Sequence, residues 1–164
     1  MDGKGGSAMP DLFLSMKLIH ILATIVMVGA TIVNGVIHAQ AKASTPVEAA
    51  ALLRVVTRIN KLFMGPSLLI IPASGLWMMT LLGYDWSTGW LAAAFVLSLG
   101  LLLAFVIGDR IERKLRDIAT AAADEALTAL PASYQTTFSK ASPIGGAAFV
   151  MSIVALILMI FKPF

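Results

Sequence analysis

The chain has 164 residues, 59% of them hydrophobic and 13% charged, with a mean hydropathy of +0.89. That charge content, about half a soluble domain's share, excludes an ordinary soluble globular protein and indicates an integral membrane protein. The net charge of +3 is grouped in connecting segments, which speaks against nucleic acid as a partner, and the lack of cysteine excludes disulfides, thiolate metal sites and iron–sulfur ligation.

Residues 1–10 are glycine-rich and read as a mobile tail, leaving 11–164 as one transmembrane domain. Helix one is expected from Asp11 or Leu12 to about His38. Its polar and polarisable members are Lys17, His20, Thr24, Met27, Thr31, Asn34 and His38, spaced 3, 4, 3, 4, 3 and 4. That alternation puts all seven on one stripe, roughly 31 Å long at about 1.5 Å per residue, close to the thickness of a bilayer's hydrocarbon core. The other faces carry Leu18, Ile19, Leu22, Ile25 and Val26, suited to lipid, so the stripe must face into a bundle.

The alanine-rich stretch 39–53 follows, with Ser44, Thr45, Pro46 and Glu48 as a helix start, and is expected as a short surface helix or turn. Helix two is expected over 55–82. Asn60, Met64, Ser67, Ile71, Ser74 and Met78 form a second seam with steps of 4, 3, 4, 3 and 4. Pro66 and Pro72 interrupt it, so the carbonyls of Leu62 and Leu68 lose their usual donors. Tyr84, Trp86 and the flanking Trp77 and Trp90 read as an interfacial aromatic belt around a tight connection.

Helix three begins near Trp90 and has no charge before Asp109. Gly100, Ala104 and Gly108 form a small-residue ridge for close helix packing. Beyond it the helix continues as a solvated extension held by i,i+4 pairs, Asp109–Arg113, Glu112–Arg116 and Arg113–Asp117. Helix four is expected from about Pro143 to Phe161, capped by residues 139–143. The fold class is therefore all-α, a four-helix transmembrane bundle with short outer connections and a cytoplasmic helical extension of helix three. Nine of the twelve basic residues flank the first and third connections, which predicts that both face the cytoplasm and that both termini lie outside a bacterial inner (plasma) membrane.

His20 is the leading functional candidate, because a neutral imidazole inside a bundle can ligate haem or carry a proton; the alternative is a structural interhelical hydrogen bond. Lys17 snorkels to the interface or holds a ligand's carboxylate. His38 suits a helix C-terminus, and Asn34 and Asn60 suit each other as hydrogen-bond partners. Antiparallel packing of helices one and two brings Lys17, His20 and Thr24 to Ser74 and Met78. Met78 is then the sulfur that could join His20, in preference to Met64.

At Lys17, His20, Val28-Gly29 and Gly75-Leu76-Trp77 the chain resembles an uncharacterised family of bacterial predicted four-helix integral membrane proteins. More distantly it is similar to membrane protoporphyrinogen oxidases and to copper-resistance membrane proteins of the D type. The oxidase resemblance implies His20 as a haem-associated histidine. It departs from that family in helix three, where residues 91–107 contain no Lys or His. The expectation is a protein binding haem b or another porphyrin through His20, with Lys17 and Met78 nearby and a homodimer required for bis-histidine ligation. The alternatives are transport of a proton, copper ion or small solute along the stripe, or a non-catalytic assembly subunit. Nothing in the residues requires catalysis.

Overall fold

The computed structural model describes residues 8–163. Among these residues the structure is helical without strands: α1 (Ala8–Lys42), α2 (Pro46–Ile59), a π turn (Asn60–Met64), α3 (Gly65–Leu82), α4 (Gly89–Asp124) and α5 (Ala132–Phe161). With α2, the π turn and α3 forming one continuous helix, four helices are long and apolar enough to cross a membrane. The four-helix transmembrane class is thus the observed one. α1 begins at Ala8, inside the stretch expected as a tail, of which residues 1–7 lie outside the described range.

Two boundaries differ from expectation for a common reason. The alanine-rich stretch is not a surface turn. From Pro46 onward it is the first half of the second long helix, opened by a capping box between Thr45 and Glu48. α5 likewise starts at Ala132, eleven residues before Pro143, which lies inside it. The extra turns bury surface that residue-by-residue polarity does not reveal. Ala41, Ala49, Ala50, Leu53, Leu115, Ala119 and Tyr134 form a tightly packed cluster joining α1, α2, α4 and α5. Alanines let helix backbones approach closely, and this cap contains most of the fully buried apolar side chains among the described residues.

The cap explains the architecture. α1 packs on α3 and α2, α4 packs chiefly on α5, and the two halves join where α2 meets α4. Beyond the cap, α3 touches α4 only sparsely. The two halves are therefore joined more closely through α2 and α4 than through α3 and α4. The small-residue ridge of α4 is used within the chain, since a Cβ at Gly100 would lie 3.3 Å from the Met151 sulfur of α5. Leu18, Leu22, Ile25, Val36, Leu69, Val96, Leu103 and Ile160 point outward, as lipid-facing residues must.

Candidate functional site

Two clefts run between the halves, one toward each end, with volumes of about 500 Å³ at the aromatic end and about 610 Å³ at the basic end. Met27, Leu68 and Leu101 border both and form a buried apolar cluster between them. The helix-one stripe is consequently divided. Lys17, His20 and Thr24 belong to the aromatic-end cleft and Thr31, Asn34 and His38 to the basic-end cleft, with buried Met27 as the septum. No uninterrupted polar path links the two ends among these residues.

At the aromatic end, His20 Nδ1 lies 2.9 Å from the Ser74 hydroxyl, and that hydroxyl lies 2.6 Å from the Ile70 carbonyl. A carbonyl only accepts, so the single hydroxyl proton of Ser74 goes to Ile70 and the oxygen accepts from His20. The proton of neutral His20 therefore resides on Nδ1, and Nε2 carries a free lone pair. Nε2 has no hydrogen-bond partner among the described residues and is not sealed in the interior. Thr24 and Thr31 donate to the backbone of their own helix, at His20 and Met27, and so leave the His20 ring unencumbered. Gly75 helps as well, since a Cβ there would already touch the imidazole Cε1 at 3.5 Å. The cleft that His20 lines is apolar and aromatic, with Phe13, Ile71, Met78 and Phe95 among its walls, and Lys17 and Lys162 both border it. Lys162 Nζ sits 5.3 Å over the Trp90 ring, and Tyr84 meets Trp90 edge-on at 5.8 Å.

At the basic end lies a hydrogen-bonded network. Asn34 Nδ2 donates to Asn60 Oδ1 at 2.8 Å, Asn60 Nδ2 donates to Glu112 Oε2, and His38 Nε2 meets Glu112 Oε1 at 2.9 Å. Asp109 Oδ1 is 3.4 Å from the same Asn60 nitrogen, and Asp109 is paired with Arg113 one turn on. Asn60 is almost fully buried and stands at the start of the π turn. The wider turn lets the Gly65 N–H bond the Asn60 carbonyl just before Pro66, whose ring would disrupt an ordinary helical turn there.

The profile of the family described as "Predicted integral membrane protein (DUF2269)" matches residues 14–163. The chain belongs to this family. Neither a curated protein nor a solved structure matches it significantly, so the two more distant resemblances find no counterpart there. Family membership establishes a multi-pass membrane protein embedded in lipid and assigns no chemistry.

Within this family member, the structure brings together His20, Lys17, Thr24 and Met78 around one cleft, with Ser74 buried behind His20, and Thr31, Asn34, His38, Asn60 and Met64 around the other; Ser67 is buried nearby in α3. The expected Asn34–Asn60 hydrogen bond is present. His38 is not simply an interfacial cation at a helix end, because it is mostly buried against Glu112. The extension of helix three also differs in its ion pairs. Asp109–Arg113 forms, but Glu112 turns inward to His38 and Asn60, and Arg116 pairs with Asp117 instead. Sequence reasoning therefore missed Glu112, Asp109 and Lys162. A signal for Glu112 existed: Leu101, Phe105, Gly108, Glu112, Leu115 and Ala119 step by 4, 3, 4, 3 and 4, so Glu112 occupies a core-facing seam position.

Proposed function

We propose that this protein binds a haem- or porphyrin-class molecule in the aromatic-end cleft, with His20 Nε2 as the protein ligand to its metal. The observation that carries this reading is the imidazole itself, held through Nδ1 by Ser74 and Ile70, with Nε2 free of partners among the described residues and the residue lining an apolar cleft of about 500 Å³. Orientation of a ligating histidine through its other nitrogen is the usual device of metal sites, and the volume lies within the range of small-molecule pockets. The lining fits a flat apolar macrocycle with acidic edge groups. Leucine, isoleucine and aromatic walls suit the ring, and Lys17 and Lys162 suit carboxylates directed toward the interface. Met78, on the same cleft, is the candidate for a sulfur ligand. When bound, haem supplies one-electron redox chemistry or electron transfer. The chain's own part is to orient the imidazole, exclude water and neutralise the acidic edge. In this reading the protein lies in a bacterial inner membrane with its basic end toward the cytoplasm, as the distribution of Lys and Arg favours.

The test is the visible spectrum of protein purified after expression with ample haem. A Soret band is expected that His20→Ala abolishes and His38→Ala retains, since His38 belongs to the other cleft. Colourless wild-type protein that also fails to take up added haem or protoporphyrin would overturn the reading, as would a band that survives in His20→Ala.

A further inference from the structure

The basic-end cleft opens sideways. Every exposed residue that lines it lies on α1 or α5, among them Ile32, Gly35 and Val36 on one rim and Gly145, Gly146 and Phe149 on the other. Its lining residues on the π turn, α3 and α4 are buried or half-buried. Ile32 and Val36 are 51% and 66% exposed, which places their rim on the outer surface of the bundle. α1 and α5 meet at the cap, where Ala41 and Tyr134 share one cluster, and the crevice lies below that junction. In a bilayer, an opening on this surface faces acyl chains.

Depth and charge identify the occupant. From buried Met27, at the inner end, to His38 is eleven residues of α1. That is roughly 16 Å at about 1.5 Å per residue, close to half of a hydrocarbon core about 30 Å thick. The crevice is thus one leaflet deep. Its volume of about 610 Å³ lies within the range of small-molecule sites, and Met64, Leu101 and Phe105 give it an apolar floor. The carboxylates at its interfacial end are already engaged, Glu112 by His38 and Asn60 and Asp109 by Arg113. Lys42, by contrast, ends α1 with no carboxylate partner among the described residues. Its Nζ lies 5.1 Å over the ring of Phe138, which lines the cleft. One uncompensated cation therefore stands at the interface, above an apolar crevice open to lipid.

We propose that the basic-end cleft is a binding site for one anionic phospholipid of the adjoining leaflet, with an acyl chain between α1 and α5 and the phosphate on Lys42. A transmembrane helix of a second copy fits less well, because it spans about 30 Å and this crevice ends at the septum of Met27, Leu68 and Leu101. The same septum separates the lipid from the His20 cleft, so the two sites are independent.

The experiment uses the full-length protein in phosphatidylcholine nanodiscs containing a trace of phosphatidylglycerol with a diazirine on one acyl chain. The matching phosphatidylcholine is the zwitterionic control, and labelled peptides are mapped by mass spectrometry after irradiation. Labelling is expected to concentrate on residues 32–39 and 142–149, to favour phosphatidylglycerol, and to be competed by the unlabelled lipid. Lys42→Gln should cut that preference about fivefold, the equivalent of the about 1 kcal/mol that a basic residue contributes at an anionic membrane surface. Gly35→Leu combined with Gly145→Leu fills the crevice from both rims, at positions where an added Cβ meets nothing within 4 Å, and should remove labelling of both segments by either probe. His20→Ala should change none of this while abolishing any haem band, so the two sites fail separately. Labelling spread evenly over outward faces such as those of Leu69 and Leu103, equal labelling by the two probes, or a preference unchanged in Lys42→Gln would each overturn the proposal. So would unchanged labelling in the double glycine variant, or contacts between two copies through α1 and α5 in place of lipid.

Discussion

Asn60 is the residue on which the basic-end network depends, and Asn60→Ala tests that dependence. The side chain is 2% exposed, accepts from Asn34 and donates to Glu112. Truncation removes both bonds, and it strips Asn34, whose Oδ1 already lacks a donor, of its remaining side-chain partner. Interhelical hydrogen bonds in membrane proteins are each worth about 0.6 to 1.7 kcal/mol, and a newly unsatisfied buried amide adds about 1 kcal/mol, so the loss should be about 2–4 kcal/mol. The assay is equilibrium unfolding in mixed micelles followed by the fluorescence of Trp77, Trp86 and Trp90. Asn60→Asp sharpens the test, because it preserves shape and the acceptor for Asn34 but replaces the donor with a third carboxylate beside Glu112 and Asp109. Three carboxylates then crowd one buried point, so Asn60→Asp should destabilise the fold more than Asn60→Ala does. A loss under about 0.5 kcal/mol for Asn60→Ala, the scale of an ordinary surface change, would refute the assigned role, and so would a smaller loss for Asn60→Asp than for Asn60→Ala.

The four spans and their orientation to one another were legible because hydropathy and heptad spacing act along a single helix. The helix-one stripe is a case in point: Asn34 and Met27 are buried, His20, Thr24, Thr31 and His38 are partly so, and Leu18, Ile25 and Val33 lie outside. Antiparallel packing then brings Asn34 to Asn60 and His20 to Ser74. What was not legible depends on which helix a side chain meets. An alanine carries almost no hydropathy signal, yet Ala41, Ala49 and Ala119 are fully buried because four helices converge there. Pro143 suggests a helix start, but α5 already begins at Ala132. Glu112 carries the local signature of an i,i+4 pair with Arg116, and only side-chain partners on other helices, His38 of α1 and Asn60 of the π turn, divert it. Charge pairing within a helix contributes a few tenths of a kcal/mol, which is less than the cost of leaving His38 and Asn60 unpartnered in the interior.

Three further outcomes follow from the same geometry. Leu53 is fully buried at the centre of the alanine-rich cap, so Leu53→Ala should cost about 2–5 kcal/mol in the same unfolding assay, with no comparable loss at lipid-facing Leu69. Asp85, in the aromatic-end connection, has its carboxyl held below the usual range by hydrogen bonds first from the Ser87 hydroxyl and then from the Ser87 backbone N–H. A depressed folded pKa stabilises the connection above the unfolded value, and that contribution disappears as pH falls through the folded one. A carboxyl NMR titration should place Asp85 below the ordinary carboxylate, with Ser87→Ala moving it part of the way back because the backbone donor remains. The third concerns the imidazole on which the haem reading rests. Ser74 has one hydroxyl proton, and Ile70 takes it at 2.6 Å, so Ser74 acts on His20 purely as an acceptor. Ser74→Ala removes that acceptor and leaves the Nδ1–H without its 2.6–2.9 Å chain to the α3 backbone. The ring is then free to turn and to exchange tautomers, and loss of such a supporting partner lowers metal affinity by about 10–100-fold. Ser74→Ala should therefore weaken haem binding by that factor without abolishing it, and nitrogen NMR of the ligand-free protein should show His20 protonation shifting from Nδ1 toward Nε2. Wild-type affinity together with an unchanged Nδ1–H signal would mean that Ser74 does not orient the ring, and the free Nε2 would then need another cause.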